Sequence, residues 1–235
     1  MDSPTYGLIG RGRLARHLAH YLALEGCAVA VWHRGLDTDP ATALAGSEVV
    51  LLAISDEAIA GFAARHPGFG ERTLVHFSGS LVVPGIVGLH PLMTFGPELY
   101  DLATYRTIPF VGERGGVGFP EIFPDLVNPH HELNPADKPL YHALCVLSGN
   151  FTTLLWGKAM SDFETRLGLP GAALVPFLSR TAANTVAHRD RSLTGPLARA
   201  EHTTIGRDLE ALQGDPWQEV YRAVAQAVGP TEAQP

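Results

Sequence analysis

Short apolar runs alternate with helix-like segments along the first half of the chain. Residues 6–9, 27–32 and 49–54 form continuous apolar runs, which are typical of parallel strands buried on both faces. Residues 14–24 and 57–65 show the three- and four-residue spacing of amphipathic helices. Because strands that alternate with helices form βαβ units, this pattern predicts an α/β domain with a parallel sheet.

The same half contains a short helix and four further strands. The helix covers residues 41–45, and the strands cover residues 73–77, 86–89, 108–111 and 131–133. Between residues 112 and 135 the chain is dense in glycine and proline. We therefore expect irregular structure there, apart from the last strand.

The pattern changes to a helical one after this segment. Residues 134–137 read Asn-Pro-Ala-Asp, a strong helix start in which asparagine caps the first turn and proline fits its first position. We expect one helix of about 30 residues from there to Leu167, where Gly168 and Pro170 end it. Further helices are expected at residues 172–187, with an interruption at Pro176, and at 196–200, 203–212 and 216–228. The change predicts two domains, residues 1–134 and an all-helical domain of residues 135–235.

Composition excludes several classes of protein. The 235 residues carry a net charge of −7, and the 17 lysines and arginines form no cluster, so we expect no nucleic-acid partner. No apolar run reaches about 18 residues and no basic leader precedes the first strand, so we expect a cytoplasmic protein without a membrane partner. The two cysteines, Cys27 and Cys145, cannot form a disulfide framework or a CxxC metal site. The eleven histidines include no HxH or HxxxH pair on a predicted element, so we expect no metal.

A glycine-rich turn follows the first strand. Residues 10–15 read Gly-Arg-Gly-Arg-Leu-Ala and match the pattern GxGxxA. In that pattern the first glycine permits a tight turn, the second lets backbone amides approach a pyrophosphate, and the helix N-terminus attracts the anion. The strand–turn–helix–strand context predicts a dinucleotide site that includes Gly10, Arg11, Gly12, Arg13 and Leu14. A glycine-rich turn kept for packing is the alternative.

The end of the second strand bears on the choice of cofactor. An NAD site usually has Asp or Glu here to bind the ribose 2′-hydroxyl, but this chain has His33 and Arg34, and its next acid is Asp37. Arg34 can pair with a 2′-phosphate, so the sequence favours NADP over NAD. A solvated surface arginine is the alternative.

Seven sequence blocks, taken together and in order, resemble a known group of proteins. They are GRGR at residues 10–13, LAISD at 52–56, HFSGS at 76–80, HPLMTF at 90–95, Lys138 with YHA at 141–143, SGN at 148–150, and LTGPLAR at 193–199. The chain resembles Rossmann-like proteins with a helical C-terminal domain of the 6-phosphogluconate dehydrogenase type. It is most similar to a bacterial family of unknown function related to ketopantoate reductase and pyrroline-5-carboxylate reductase. The resemblance implies a Rossmann-like parallel sheet, an all-helical second domain and a homodimer formed through the C-terminal helices.

Candidate ligand contacts follow several predicted strands. In a parallel sheet, ligands bind beyond the carboxyl ends of the strands. We expect Ala53, Ile54 and Ser55 beside the cofactor, and Ser78 as a hydrogen-bond partner of a carboxamide or of the substrate. His90 also lies at a strand end, and a structural histidine in a turn is the alternative for it.

The long helix supplies the other candidates. His142 and Asn150 are eight residues apart, which leaves about 80° of arc on an ideal α-helix, so both can border one cleft. Reduction of C=O or C=N needs a proton donor, and histidine titrates in the right range. We expect His142 or His90 in that role, with Asn150 orienting the substrate. A satisfied interdomain histidine is the alternative for His142, and Lys158 is a further candidate that the resemblance suggests.

Two functions remain open on this basis. The first is an NADP-dependent oxidoreductase that reduces a small carbonyl or imine substrate in a cleft between the domains. The second is a nucleotide-binding or regulatory protein without catalysis, because a fold does not imply a function.

Overall fold

The computed structural model describes residues 4–228, and its first part is built on one seven-stranded sheet. All the predicted strands are present, and their ends differ from the prediction by at most two residues. In chain order they are β1 (Tyr6–Ile9), β2 (Val29–Trp32), β3 (Val49–Leu52), β4 (Thr73–His76), β5 (Val87–Pro91), β6 (Phe110–Glu113) and β7 (His130–Leu133).

The sheet has the order β2-β1-β3-β4-β5-β6-β7. The first five strands are parallel, which confirms the predicted Rossmann-like sheet. β6 departs from it: it runs antiparallel to β5, with Pro91 opposite Phe110, and β7 runs parallel to β6. An antiparallel neighbour needs no crossover, whereas the parallel pair β6–β7 needs a connection of about a dozen residues or more. The glycine- and proline-rich segment after β6 supplies that connection.

Short helices accompany the strands of this part. They are α1 (Arg13–Leu24), α2 (Pro40–Ala43), α3 (Asp56–Arg65), α4 (Leu102–Arg106) and α5 (Phe119–Ile122). The sequence predicted α1, α2 and α3 but not α4, because five residues are too few to show a helical period. The start of α4 is capped by Asp101, whose side chain accepts a hydrogen bond from the Thr104 amide. The prediction of irregular structure is wrong for α5, because burial of Phe119 and Ile122 in the core outweighs the local glycines and prolines.

The second half begins as the sequence predicted. The Asn134 side chain caps the first turn by accepting a hydrogen bond from the Ala136 amide at 3.1 Å. Helical elements alone follow in the described residues: a 3₁₀ turn (Pro135–Asp137), α6 (Lys138–Cys145), a π-helix (Val146–Phe151), α7 (Thr152–Thr165), a 3₁₀ turn (Gly171–Leu174), α8 (Val175–His188), a 3₁₀ turn (Arg189–Ser192), α9 (Gly195–Ala198), α10 (His202–Ala211) and α11 (Trp217–Val228). No helix in residues 4–228 is both long and apolar enough to cross a membrane.

Two details of the predicted helices are wrong. The long helix is not uniform, because its middle forms a π-helix with a wider turn between α6 and α7. Pro176 does not interrupt a helix either. It lies in the first turn of α8, where the amide hydrogen that proline lacks would have no intrahelical partner.

The chain divides into two compact units, of which the first ends at Thr153 and the second begins at Leu154. The change from strands to helices comes earlier, after β7 ends at Leu133. The domain boundary after residue 134 stays a prediction, because it marks a change of secondary structure and not the division into compact units.

The core of the first unit covers both faces of the sheet. Leu8 and Leu51 belong to one buried cluster, whereas their chain neighbours Ile9, Val50 and Leu52 belong to the other. Successive side chains of a strand point to opposite faces, so strands buried on both sides need apolar residues throughout. This requirement explains the continuous apolar runs in the sequence.

Candidate functional site

The turn after β1 places glycine where no other residue fits. Gly10 has a φ of +136°, and a Cβ atom there would lie 2.3 Å from the carbonyl oxygen of Ala53. Backbone hydrogen bonds fix the turn between its neighbours: the Gly10 amide donates to Trp32 O, and the Ala53 amide donates to Ile9 O, both at 2.9 Å. The first glycine of the motif therefore lets β1 and β3 approach each other closely.

Gly12, the second glycine of the motif, has open space around it, in contrast to Gly10. Gly12 is the N-cap of α1, and no atom lies within 4 Å of the position that a Cβ would take. The N-terminal amides of α1 donate no hydrogen bond to a capping side chain, and its first turn contains no acid. Free amides at the positive end of a helix attract an anion, so this end of α1 fits a phosphate group.

A cavity of roughly 620 Å³ opens beside the turn. Nine of the ten residues predicted to bind the cofactor line it: Gly10, Arg11, Gly12, Arg13, Leu14, Arg34, Ala53, Ile54 and Ser55. The structure thus brings these residues together at the carboxyl ends of β1, β2 and β3. The chain order reverses direction across the sheet between β1 and β3, and such a switch point is where parallel sheets bind nucleotides. Their role in binding stays a prediction.

The same cavity is lined by further residues, which the sequence did not reveal as a group. Ala58, Phe62 and Arg65 come from one face of α3, where they are spaced by four and three residues. That helical spacing was the signal that could have identified them. The other additional lining residues are Ile9, Trp32, His33 and His66.

The charge of the cavity is one-sided. Arg11, Arg13, Arg34 and Arg65 line it, and its described lining contains no acidic side chain. Guanidinium groups bind phosphate with paired hydrogen bonds, whereas a ribose 2′-hydroxyl is usually held by a carboxylate. The residues present therefore fit a dinucleotide with a 2′-phosphate.

Ser78 does not line the cavity but holds the turn after β4. Its hydroxyl donates to Asp56 Oδ2 at 2.6 Å and accepts hydrogen bonds from the amides of Ser80 and Leu81 at 3.2 and 3.1 Å. The hydroxyl hydrogen is thus already bound to a carboxylate. The sequence analysis named Asp56, at the start of α3, only as part of the block LAISD and did not predict its contact with Ser78.

A second cluster surrounds His90 near the end of β5. The Tyr141 hydroxyl lies 2.7 Å from His90 Nδ1, and the His142 ring lies 6.4 Å from the His90 ring, centroid to centroid. Gly79 lies between the two histidines: a Cβ there would be 2.8 Å from His142 Cδ2 and 3.2 Å from His90 Nε2. The structure therefore brings the two predicted proton donors together, and it adds Tyr141, which the sequence analysis named only for the resemblance.

Burial keeps His90 uncharged. Burial lowers the pKa of His90 from 6.5 to about 4, and the positive charges that His142 and Lys138 can carry lower it further, so His90 is neutral at pH 7. The expectation that His90 titrates near neutral pH is wrong, because the ring has lost its hydration. Burial also raises the pKa of the Tyr141 phenol, and Cys145 adds to this rise.

A buried ion pair lies next to this cluster. Lys138 Nζ donates to Glu113 Oε1 at 2.7 Å, and the side chain of Lys138 is only 4% exposed. Both groups pack over Gly88, where a Cβ would come within 2.7 Å of each. His76 packs against the same position; burial and the charge of Lys138 lower its pKa to about 4. Its Nε2 is buried without a hydrogen-bond partner among the described residues.

Asn150 is placed differently from the prediction. It is exposed and lies in the π-helix, so the arc of about 80° from His142, which assumed an ideal α-helix, does not apply. A π-turn often marks a functional position, and the role of Asn150 stays a prediction. Lys158 is engaged elsewhere, because its Nζ donates to Asp162 and Asp215 at 2.7 and 2.8 Å. Among the residues that the structure describes, no three potential metal ligands come together.

Comparison with known proteins identifies the second half of the chain. Residues 119–228 match the family model described as "Domain of unknown function (DUF2520)". This match covers slightly less than half of the chain and agrees with the resemblance to a family of unknown function with its own C-terminal part. No curated protein matches the sequence.

Solved structures share the fold over nearly the whole chain. A protein from Bacteroides fragilis, named as a candidate NADP oxidoreductase, has a TM-score of 0.78 at 22% identity and covers 96% of this chain and 97% of its own. Pyrroline carboxylate reductase from Plasmodium falciparum, solved with NADP, has a TM-score of 0.60 at 14% identity and covers 97% and 96%. A reductive aminase from Aspergillus terreus, solved with NADPH and ethyl levulinate, has a TM-score of 0.60 at 15% identity and covers 97% and 88%. At these identities the likeness establishes the Rossmann-like fold.

Proposed function

We propose that this protein is an NADP-dependent oxidoreductase that reduces a small carbonyl or imine compound. The observation that carries this proposal is the cavity at the carboxyl ends of β1, β2 and β3. It combines the open N-terminus of α1 at Gly12 with four arginine side chains and no acid in its described lining. A 2′-phosphorylated dinucleotide offers the anionic groups that such a cavity can bind.

The structural neighbours support the same class. They include a candidate NADP oxidoreductase, a reductase solved with NADP and an aminase solved with NADPH. A shared fold does not carry a reaction with it, so the chemistry must come from this chain's own residues.

The residues around β5 can perform the remaining steps. NADPH, when bound, supplies a hydride. His142 gives a proton to the oxygen or nitrogen of the substrate, and Asn150 orients the substrate. His142 suits this role better than His90, because His90 is neutral at pH 7 and is therefore a poor acid.

Calorimetric titration with NADPH and NADH tests the cofactor. We expect NADPH to bind more tightly than NADH, and we expect Arg34→Gln to remove most of that difference. Arg16→Gln, which changes an exposed arginine of α1 outside the lining of the cavity, serves as the control and should retain the preference. Absence of NADPH binding at millimolar concentration would refute the proposed cofactor.

A screen for NADPH consumption over 2-keto acids and cyclic imines tests the reaction. We expect turnover with at least one of them and a loss of turnover in His142→Ala. If NADPH binds but no compound is reduced, the protein is the non-catalytic nucleotide-binding protein that the sequence also allowed.

We further propose that the protein forms a homodimer. Leu140, Leu144, Leu147 and Phe151 are all exposed on α6 and the π-helix, and a contiguous apolar surface of this kind is typical of an interface. Sedimentation of the wild type should give twice the 25.2 kDa mass of one chain. Leu144→Glu should give single chains, whereas Leu24→Glu, which changes an exposed leucine of α1, should leave the dimer intact. A single-chain mass for the wild type would refute the homodimer.

A further inference from the structure

We propose that His90 binds the carbonyl oxygen of the substrate through a neutral Nε2–H group, and that Tyr141 is the positioning residue that holds this tautomer. The inference rests on the proposed function and narrows its substrate class to carbonyl compounds and other acceptors with a free lone pair, which excludes iminium ions. Its support is the arrangement of Tyr141, His90 and Gly79, which sequence reasoning did not reveal.

The first step is the direction of the hydrogen bond between Tyr141 and His90. Tyr141 Oη and His90 Nδ1 are 2.7 Å apart, a distance typical of a strong hydrogen bond. A phenol is a better donor than a neutral imidazole N–H, and the bare ring nitrogen is the better acceptor. The hydroxyl of Tyr141 therefore donates to Nδ1, and the single ring proton of neutral His90 resides on Nε2.

The second step is the place where Nε2 points. It lies 3.2 Å from the position of a Cβ on Gly79, so it faces a residue without a side chain. Among residues 4–228 no group forms a hydrogen bond with Nε2, and His90 is only partly buried. A donor with a free hydrogen is thus presented at the carboxyl end of β5, two strands from β3 and so about 10 Å along the sheet.

The third step is the charge of the surroundings. Burial and the positive charges that His142 and Lys138 can carry disfavour an imidazolium at His90, and only the carboxylate of Asp56 acts in the opposite direction. A neutral histidine can polarise a carbonyl group by donating a hydrogen bond to its oxygen, without transferring the proton. This requires a fixed tautomer, in which the nitrogen that faces the carbonyl group carries the hydrogen.

These steps together define the kind of group that fits. A carbonyl oxygen has lone pairs and accepts a hydrogen bond from Nε2–H. A protonated or alkylated iminium nitrogen has no lone pair to offer, and its positive charge is unfavourable beside His142 and Lys138. The site is therefore suited to ketones, aldehydes or keto acids, and not to iminium ions.

Nitrogen-15 NMR of the ligand-free protein tests the tautomer without any reaction. The full chain is labelled at its histidine nitrogens and compared with Tyr141→Phe and with the control Tyr221→Phe, whose hydroxyl bonds Asp208 in the second unit. We expect the wild type and the control to carry the His90 proton on Nε2, and Tyr141→Phe to show a mixture of tautomers. A proton on Nδ1 in the wild type, or an unchanged tautomer in Tyr141→Phe, would overturn the proposal.

Kinetics tests the substrate class with three probes. These are pyruvate, 2-oxobutyrate and the N-methyl-1-pyrrolinium ion, each with saturating NADPH. We expect reduction of a keto acid, with kcat lowered at least about tenfold in Tyr141→Phe, while the dissociation constant of NADPH and the rate in Tyr221→Phe stay unchanged. Faster reduction of the iminium ion than of both keto acids would overturn the inference. Failure of NADPH to bind would instead overturn the proposed function and leave the NMR result to decide the tautomer.

Discussion

Two regions at the same edge of the sheet differ in almost every physical respect. The region beyond β1, β2 and β3 is an open cavity with four arginines, and Gly12 there has free space around it. The region beyond β4 and β5 is crowded: His90 is neutral, and Gly79 fits tightly between two imidazole rings. Both regions depend on glycine, but one provides room and the other permits close contact.

This difference suggests a division of tasks within one sheet. An open, positively charged cavity can bind a highly charged dinucleotide. The phosphates and the arginine side chains stay close to water there, so binding does not require their complete dehydration. A crowded region strengthens individual hydrogen bonds, because water does not screen them. Substitutions at tightly packed positions of either region should therefore affect folding, whereas substitutions at positions with free space in the cavity should affect ligand affinity.

The largest effect is expected for Gly10→Ala. The new Cβ would lie 2.3 Å from a backbone oxygen of Ala53, and the residue would have to keep a φ of +136°. We expect the free energy of unfolding to fall by more than about 4 kcal/mol, measured by urea denaturation. A loss below about 1 kcal/mol would show that β1 and β3 can move apart at this point.

The next largest effect is expected for Lys138→Met. Removal of the buried lysine leaves Glu113 as a partly buried, unpaired carboxylate, which costs at most about 3–5 kcal/mol. The double variant Lys138→Met with Glu113→Leu should recover much of this loss, because two apolar groups replace both charges. If the double variant is as unstable as Lys138→Met alone, packing over Gly88 and not charge is decisive.

A pH-dependent effect of intermediate size is expected from His76. Burial and Lys138 lower its pKa from 6.5 to about 4, so between these values the unfolded chain binds more protons than the folded one. The stability that neutral His76 provides is complete above about pH 6.5 and is lost as the pH falls towards 4, by roughly 3 kcal/mol at most.

The variant His76→Asn isolates this contribution from other titrating groups. Asparagine retains an acceptor for the Ser78 amide, which His76 Nδ1 now binds at 3.2 Å. Urea unfolding near neutral pH and near pH 4 should show a smaller loss of stability in His76→Asn than in the wild type. Equal losses in both proteins would remove His76 as the cause.

The smallest effect on stability is expected for Gly12→Ala. Its Cβ would meet no atom within 4 Å, so we expect the free energy of unfolding to change by less than about 1 kcal/mol. The methyl group would instead occupy the space that a phosphate approaches, and the dissociation constant of NADPH should rise about tenfold or more, which is about 1.4 kcal/mol. Unchanged affinity measured by calorimetry would separate this turn from cofactor binding.

Sequence reasoning worked well where one local signal coincided with one structural need. The apolar runs identified the strands, and the pattern at residues 10–15 identified the turn whose residues line the cavity. It failed for α4 and α5, which are too short to show a period. It also failed for the π-helix, because the residue types in that segment are the same as those of an ordinary α-helix. The contact of Tyr141 with His90 also escaped it, because 51 residues separate the two side chains.

The sequence by itself determined the strands, most of the helices, the parallel sheet of the first unit and most residues of the candidate nucleotide site. These features depend on the spacing of apolar residues and on glycines at positions where the backbone conformation excludes other residues. Only the tertiary structure decided that β6 reverses direction, that Arg65 joins the other arginines, and that His90 is neutral. Each of these depends on groups far apart in the chain, and burial acts on a titrating side chain only once such groups have packed around it.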